Sequence, residues 1–264
     1  MTSSVKASGL QRMTNVCVVN WGNKYSVDYT QRLYNMVKRN TTYEFNFYVL
    51  TDDVTRYDKF PHLNAVEIDT DDTAWWCKML MFKPGMLPPG EYLYLDLDVV
   101  ILQEIDSLFE HKGFGIIRDF IRPDEGILEG KEYNSSLMRF NTKECAGIYE
   151  YYNTNKRAWL DYQKQVHFFG DQNVISSYMN HYPDFCKPFP DNEISSFKKG
   201  NVRGATAGDR SEWFGRHPTP DVKVVVFHGD PSPADILNNK QKFLDKGDEF
   251  CPAETIQWIE NNWK

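Results

Sequence analysis

The first half of the chain alternates between apolar segments and segments with helical spacing. NVCVVNW (15–21), FNFYVLTDD (45–53) and AVEID (65–69) predict three strands, because each is short and rich in apolar residues. Between the first two, DYTQRLYNMVKRN (28–40) carries its apolar residues on one helical stripe. TAWWCKMLMFKPG (73–85) predicts a short helix that ends at its Pro-Gly pair. This alternation is typical of an α/β fold with a mainly parallel central sheet.

The second half predicts further strands and helices with a long irregular region between them. The predicted elements are strands at GFGIIRDF (113–120), SSLMRF (135–140) and VKVVVFHG (222–229), and helices at KECAGIYEYYN (143–153), DQNVISSYMNHY (171–182) and ETIQWIENNW (254–263). Residues 185–220 are rich in proline and glycine and predict loops. No repeat or linker is evident, so we predict a single domain over residues 13–264, preceded by a disordered leader at residues 1–12.

Composition and charge exclude several classes of function. Of the 264 residues, 41% are hydrophobic and 15% are aromatic, which is enough for a sizeable core. The formal net charge of −7 argues against a nucleic-acid partner, because a phosphate backbone requires clustered Lys and Arg. No apolar segment is long enough for a signal peptide or a membrane span, which predicts a cytoplasmic protein without membrane insertion. The five scattered cysteines lack metal-binding spacing and predict reduced thiols.

The segment EYLYLDLDVVI (91–101) raises a chemical question, because Asp96 and Asp98 follow an apolar strand one residue apart. Side chains alternate along a strand, so both carboxylates are predicted on the same side. Two such carboxylates repel each other unless a cation lies between them, and oxygen ligands suit Mg²⁺ or Mn²⁺. In an α/β sheet, ligands bind beyond the carboxyl ends of the strands. The pair therefore predicts a metal site; the alternative is that the two residues only begin a turn.

Two kinds of enzyme chemistry fit a metal at this place. In one, the metal binds the diphosphate of a nucleotide sugar and stabilises the departing nucleoside diphosphate. In the other, Asp96 attacks a phosphoryl group, as in haloacid-dehalogenase-like phosphatases. The segment DLDVV fits the nucleophile motif of those enzymes, and GDPSPAD (229–235) could supply their later acidic motif. Those phosphatases have the nucleophile near the start of their core. Here a complete strand–helix–strand unit comes first, so the phosphatase is the less favoured alternative.

Five segments in this order resemble GT-A glycosyltransferases, in particular the glycogenin-like family 8 branch and its small bacterial and viral relatives. They are VVNWGNKYSVDYTQRLYNMVKRN, WWCKMLMFKPG with YLYLDLDVVI, YNSSLMRF, GDQNVI and VVVFHGDPSP. The similarity runs with gaps from Asn15 to Pro233. It implies a Rossmann-like nucleotide-binding half joined to an acceptor-binding half within one domain.

The resemblance also implies roles for individual residues. Asp96, Asp98 and His228 match the metal ligands of the family, which would hold Mn²⁺ or Mg²⁺. Asp171 and Gln172 match the pair near the anomeric carbon and are the predicted catalytic residues, although Asp171 could be only a helix N-cap. The predicted donor-binding residues are Asn20, Trp21, Tyr25, Asp52, Lys78, Asp96, Leu97, Asp98, Asn134, Ser135, His228 and Gly229. For several of them the structural alternative is strong: Lys78 could be an exposed helix lysine, and Asp52 could only form a turn.

One segment departs from the family pattern. Relatives often read HGxPKPW, whose lysine neutralises the diphosphate, whereas this chain reads HGDPSPA (228–234), with Asp230 and Ser232 in place of basic residues. Part of the diphosphate charge is then left without a partner. Lys78, Lys199, Arg203 and Arg210 are the candidates to supply the missing positive charge.

The predicted reaction is metal-dependent transfer of a sugar from a nucleoside diphosphate sugar, with uracil as the implied base, to a carbohydrate or other hydroxyl acceptor. The resemblance implies retention of anomeric configuration. An inverting enzyme would need a carboxylate base, for which Asp119 and Asp171 are candidates. A third alternative is a non-catalytic protein that binds nucleotide sugars or carbohydrates.

Overall fold

The computed structural model describes residues 13–120, 133–165, 170–198, 200–201, 218–244 and 253–264. The predicted leader, residues 1–12, lies outside this part of the chain, as do three of the candidate cations, Lys199, Arg203 and Arg210.

Within the described residues, eleven strands form two sheets. The strands are β1 (Met13–Asn20), β2 (Glu44–Thr51), β3 (Leu63–Glu67), β4 (Glu91–Leu95), β5 (Val99–Ile101), β6 (Phe114–Arg118), β7 (Tyr133–Asn141), β8 (Cys186–Pro188), β9 (Ile194–Ser196), β10 (Gly200–Asn201) and β11 (Val224–Val226). The larger sheet has the order β3-β2-β1-β4-β7-β6-β8. Its first four strands are parallel, and β7 runs antiparallel to both β4 and β6. The prediction of a mainly parallel central sheet is confirmed.

The smaller sheet was not predicted. It has the order β10-β9-β11-β5, with β9 parallel and β5 antiparallel to β11. Strands β8, β9 and β10 lie in the region predicted as loops, residues 185–220, so that prediction is wrong for these residues. Strands of two or three residues are too short to show an alternating pattern, and they form because distant segments pair with them.

The helices pack against both sheets. They are α1 (Val27–Arg39), α2 (Asp106–Glu110), α3 (Ala146–Thr154), α4 (Lys156–Gln163), α5 (Asp171–His181), α6 (Pro233–Asn238), α7 (Lys240–Leu244) and α8 (Ala253–Asn262), with 3-10 helices at Val54–Tyr57 and Ala74–Phe82. The four α-helices predicted around residues 28–40, 143–153, 171–182 and 254–263 are present, whereas the helix predicted at 73–85 is of the 3-10 type. No helix in the described ranges is long and apolar enough to cross a membrane.

The core lies on both faces of the larger sheet. Val16 and Val18 of β1 belong to one apolar cluster together with Leu33 of α1, and Cys17 between them belongs to a second cluster. The second cluster contains Trp76 of the longer 3-10 helix. Because alternate residues of one strand are both fully buried, β1 is covered on its two faces, as expected for a parallel strand in a layered α/β fold. Helices and turns therefore close both faces, and the ends of the strands remain as the place for a site.

The four cysteines of the described residues are expected to be unreactive in the folded protein. Cys17, Cys77, Cys145 and Cys186 are free thiols, and Cys251 lies outside the described residues. Burial raises the pKa of Cys77 to about 12 and that of Cys186 to about 11, and it raises the pKa of Cys17 and Cys145 as well. At pH 8 the reactive thiolate is then a minute fraction of each.

We expect iodoacetamide at pH 8 to leave these four cysteines unmodified over minutes and to modify them all after denaturation, as read by peptide mass spectrometry. Rapid labelling of Cys17 in the native protein would contradict the described packing of β1.

Candidate active site

Several elements end at one edge of the larger sheet. The carboxyl ends of the parallel strands β1, β2 and β4 lie there. The start of β7 also lies there, because β7 is antiparallel to β4 and the Asp96 amide donates to the Ser136 carbonyl at 2.8 Å. Residues from distant parts of the sequence thus converge at this edge, where ligands bind in open α/β sheets.

Asp96 and Asp98 lie in a turn that joins the two sheets. Strand β4 ends at Leu95 and β5 begins at Val99 in the smaller sheet, so the argument from strand alternation does not apply to these side chains. Asp98 is 4% exposed, and Leu97 between them packs in the core. The two aspartates do lie in a turn, but this turn buries the carboxylate of Asp98.

The buried Asp98 carboxylate is held by two donors. Its Oδ2 accepts hydrogen bonds from the Tyr25 hydroxyl at 3.0 Å and from the Gly229 amide at 3.2 Å. Burial raises the pKa of Asp98, and the negative charge of Asp96 raises it further. The negative charge of Asp96 therefore acts on Asp98, and no ammonium or guanidinium group among the described residues forms an ion pair with Asp98.

Lys78 connects Asp96 with Asp171. Its Nζ lies 2.8 Å from Oδ1 of Asp96 and 3.6 Å from Oδ2 of Asp171, and it donates to Ser135 Oγ at 3.4 Å. The Lys78 side chain is only 14% exposed, so it is not the exposed helix lysine considered above. Burial opposes its charge, but Asp171 and Asp96 outweigh burial and raise its pKa. Tyr94, two residues before Asp96, donates its hydroxyl to Asp96 Oδ1 at 2.5 Å.

Asp171 is the first residue of α5 and is not its N-cap. The N-cap is Gly170, whose amide donates to the Asn173 side chain at 2.9 Å. The Asp171 carboxylate instead accepts a hydrogen bond from Ser135 Oγ at 2.6 Å. Burial raises the pKa of Asp171, although Lys78 and Ser135 oppose that shift. The simple capping role is excluded, and Asp171 faces the cluster that contains Asp96.

Asn134 and Gln172 lie beside this cluster. The Asn134 amide is 3.5 Å from Oε1 of Gln172, and its Oδ1 accepts from the Ser136 amide at 3.0 Å. Asn134 is buried and Gln172 is half-buried. The segments YNSS and DQ, which are far apart in the sequence, thus meet at the start of α5.

His228 follows β11 in a strained backbone. Its φ is +37° and that of Gly229 is +98°, both in the left-handed region. The Phe227 amide donates to the Asp98 carbonyl at 3.2 Å, so the end of β11 lies beside the aspartate turn. The His228 imidazole Nε2 lies 2.6 Å from Ser196 Oγ, and its ring stacks on Phe120 with centroids 6.1 Å apart. The His228 backbone therefore reaches the site, while its Nε2 faces Ser196.

The predicted nucleoside contacts after β1 are only partly brought together. The Asn20 amide donates into the protein, to Thr30 and Tyr57, whereas Asp52 is exposed and accepts from the Gly22 amide at 3.0 Å. Trp21 is half-buried against the second core cluster.

Arg56 was missed in the sequence. Its guanidinium donates to the Gly22 and Asn20 carbonyls at 2.9 and 2.8 Å and contacts Asp52 at 2.9 Å, which fixes the loops that follow β1 and β2. A sequence gives no signal for such a contact, because one side chain bridges two separate loops.

The side chains that could ligate a metal fit a divalent cation in part. Two carboxylates, one of them buried without a cationic partner in the described region, are the oxygen ligands that Mg²⁺ and Mn²⁺ prefer. Among the described residues, no three His, Cys, Asp or Glu side chains surround a single point. His228 would join the aspartates only if its imidazole turned away from Ser196.

Comparison with known proteins identifies the fold. The chain matches no protein-family model and no curated protein by sequence. By structure it is similar to the galactosyltransferase LgtC in complex with donor and acceptor sugar analogs, with a TM-score of 0.62 and 12% identity over 95% of this chain and 97% of LgtC. It is also similar to the glycosyltransferase GlyE of Streptococcus pneumoniae TIGR4, with a TM-score of 0.60 and 12% identity over 94% of this chain. The chain has the GT-A fold of glycosyltransferases.

The chain is also similar in structure to mouse xyloside xylosyltransferase 1, with a TM-score of 0.54 and 13% identity over 83% of this chain and 98% of that protein. The chain spans 60% of the length of GlyE. The resemblance to GT-A glycosyltransferases found in the sequence is confirmed, and the haloacid-dehalogenase-like alternative is not favoured.

Proposed function

We propose that the chain is a metal-dependent glycosyltransferase that transfers a sugar from a nucleoside diphosphate sugar, with uridine as the nucleoside, to a hydroxyl acceptor with retention. The observation that carries this proposal is the buried Asp98 beside Asp96 at the carboxyl end of β4. Such a carboxylate pair is unfavourable in the free protein and becomes favourable when a cation binds. The GT-A fold shared with sugar transferases supports the same conclusion.

Asp96, Asp98 and, after rotation, His228 would hold Mg²⁺ or Mn²⁺. When bound, the cation would neutralise the charge that develops on the departing diphosphate. Tyr25 and the Gly229 amide keep the Asp98 carboxylate in position, and Tyr94 and Lys78 do the same for Asp96.

Asp171 and Gln172 are the proposed catalytic residues. Both residues lie at the start of α5, beside the aspartate turn. Ser135 and Lys78 orient the Asp171 side chain, and Asn134 orients the Gln172 side chain. In this position a carboxylate and an amide carbonyl stabilise positive charge on the sugar ring in the transition state. One of the similar solved structures is an active-site mutant of LgtC in which a glutamine is replaced by glutamate, so that protein has a glutamine in its active site.

Ligand-induced stabilisation tests the proposal without knowledge of the acceptor. The melting temperature is measured with Mn²⁺ and with UDP, GDP, ADP or CDP, each with and without the metal. A ligand at a hundred times its Kd stabilises the native state by about 2.7 kcal/mol, which raises the melting temperature by about 5 °C or more. We expect this rise with UDP only when Mn²⁺ is present, and we expect release of UDP from one member of a UDP-sugar panel.

The outcomes separate the alternatives. No metal-dependent shift with any nucleoside diphosphate would refute the proposal. Binding of UDP-sugars without release of UDP, with or without an acceptor panel, would indicate a non-catalytic binding protein. A beryllofluoride adduct on Asp96 would indicate the phosphatase.

A further inference from the structure

The peptide group between His228 and Gly229 links a cation to the candidate metal site. Its carbonyl oxygen accepts a hydrogen bond from Lys198 Nζ at 3.3 Å, and its amide donates to Asp98 Oδ2 at 3.2 Å. A Cβ atom placed on Gly229 would lie 3.7 Å from the same Nζ. The Lys198 ammonium therefore lies one peptide group away from the Asp98 carboxylate, directly beside the glycine that follows His228.

The position of Lys198 is determined by the smaller sheet. Strands β9 and β11 are parallel, with Ser196 opposite Val226, so Lys198 and His228 each come two residues after the end of neighbouring strands. The ladder continues through a hydrogen bond from the Phe197 amide to the Val226 carbonyl at 2.9 Å. Ser196 Oγ then contacts both the Lys198 amide, at 3.1 Å, and His228 Nε2. The strand pairing, the Phe197 hydrogen bond and the contacts of Ser196 Oγ thus hold Lys198 next to His228.

The charge of the site favours a further cation beside the diphosphate. Asp96, Asp98 and Asp171 contribute three carboxylates, and Lys78 is engaged with two of them. A nucleoside diphosphate adds at least two negative charges, which a divalent cation alone does not balance in a half-buried site. Ser232, where the resemblance would have a lysine, is buried as the N-cap of α6 and accepts from the Asp235 amide.

We propose that Lys198 binds the diphosphate of the donor, with its ammonium moving from the His228 carbonyl to a phosphate oxygen. This inference rests on the proposed function and names the residue that completes its donor site. A lysine ammonium and a phosphate oxygen carry opposite charges, so a hydrogen bond between them is among the strong ones in proteins. The glycine at position 229 leaves room for phosphate beside the ammonium, because no side chain covers the backbone there.

The test compares three ligands that differ only in their phosphates. Dissociation constants for uridine, UMP and UDP with Mn²⁺ are measured by calorimetry for the wild type, Lys198→Ala, Lys198→Arg and the control Lys187→Ala. Lys187 is an exposed lysine of β8, which pairs with the start of β6 and lies away from the site. We expect Lys198→Ala to weaken UDP binding by about 10- to 100-fold and to leave uridine binding unchanged. Lys198→Arg should retain most of the affinity, and Lys187→Ala all of it.

Two results would overturn the inference. Wild-type affinity of Lys198→Ala for UDP would show that the ammonium does not contact the diphosphate. Equal weakening of uridine and UDP would show that Lys198 only supports the loop at His228. If the wild type binds none of the four nucleoside diphosphates of the melting-temperature experiment, the proposed function itself fails. The inference about Lys198 then fails with it, and this outcome differs from the other two because the wild type also lacks binding.

Discussion

Replacing Lys78 with methionine is expected to lower the free energy of unfolding by about 3 kcal/mol or more, because it leaves two carboxylates without their cation. Asp96 and Asp171 are 18% and 7% exposed, so water cannot solvate them fully once the ammonium is gone. The methionine preserves the apolar part of the lysine side chain, which restricts the change to the charge. Guanidinium chloride denaturation at pH 7 measures the difference.

A second substitution and an exposed pair serve as controls for Lys78. Asp171→Asn combined with Lys78→Met removes one of the two unpaired carboxylate charges, so the double variant should recover part of the lost stability. Lys164 and Asp161 form an ion pair at 2.8 Å, but their side chains are 74% and 53% exposed. Lys164→Met should therefore have no measurable effect, because exposed ion pairs contribute little. Wild-type stability of Lys78→Met would mean that the ammonium does not offset the buried carboxylates.

The elements predicted correctly are those whose signal lies within one segment. The apolar segments of β1, β2 and β4 indicated buried strands, and the stripe of α1 indicated a helix, since local pattern and final burial agree there. The aspartate pair was found because two carboxylates after a buried strand conflict with burial. The smaller sheet was missed because its strands have two or three residues each and depend on pairing between β9, β11 and β5.

The site residues divide in the same way. Lys78, Ser135 and Asp171 were predicted through the family resemblance, and the contacts among them are now visible. Arg56 and Lys198 were not predicted, because each acts by reaching a carbonyl on a distant loop. A lysine or arginine in a sequence carries no sign of which backbone it contacts. Only the parallel pairing of β9 with β11 brings Lys198 to His228.

The two aspartates of the turn differ in how their charge is balanced. Asp96 is paired with Lys78 and accepts a hydrogen bond from the Tyr94 hydroxyl. Within the described part of the chain, Asp98 forms no ion pair and accepts hydrogen bonds from two neutral donors, the Tyr25 hydroxyl and the Gly229 amide. Burying a carboxylate without an opposite charge is unfavourable even when it is hydrogen-bonded. The buried charge of Asp98 therefore destabilises the folded chain. Destabilising residues of this kind are found at functional sites, where activity requires them.

Asp98→Asn is expected to separate stability from activity. In the metal-free protein the variant should unfold at the same or a higher denaturant concentration, because the amide removes a buried charge that Asp96 repels and still accepts a hydrogen bond. The Mn²⁺-dependent release of UDP should fall by about a hundredfold or more, since a metal ligand contributes several kcal/mol to the transition state. Asp161→Asn, which removes an exposed carboxylate of α4, should change neither quantity. If Asp98→Asn is less stable than the wild type and still responds to Mn²⁺, then Asp98 serves the fold and another group holds the metal.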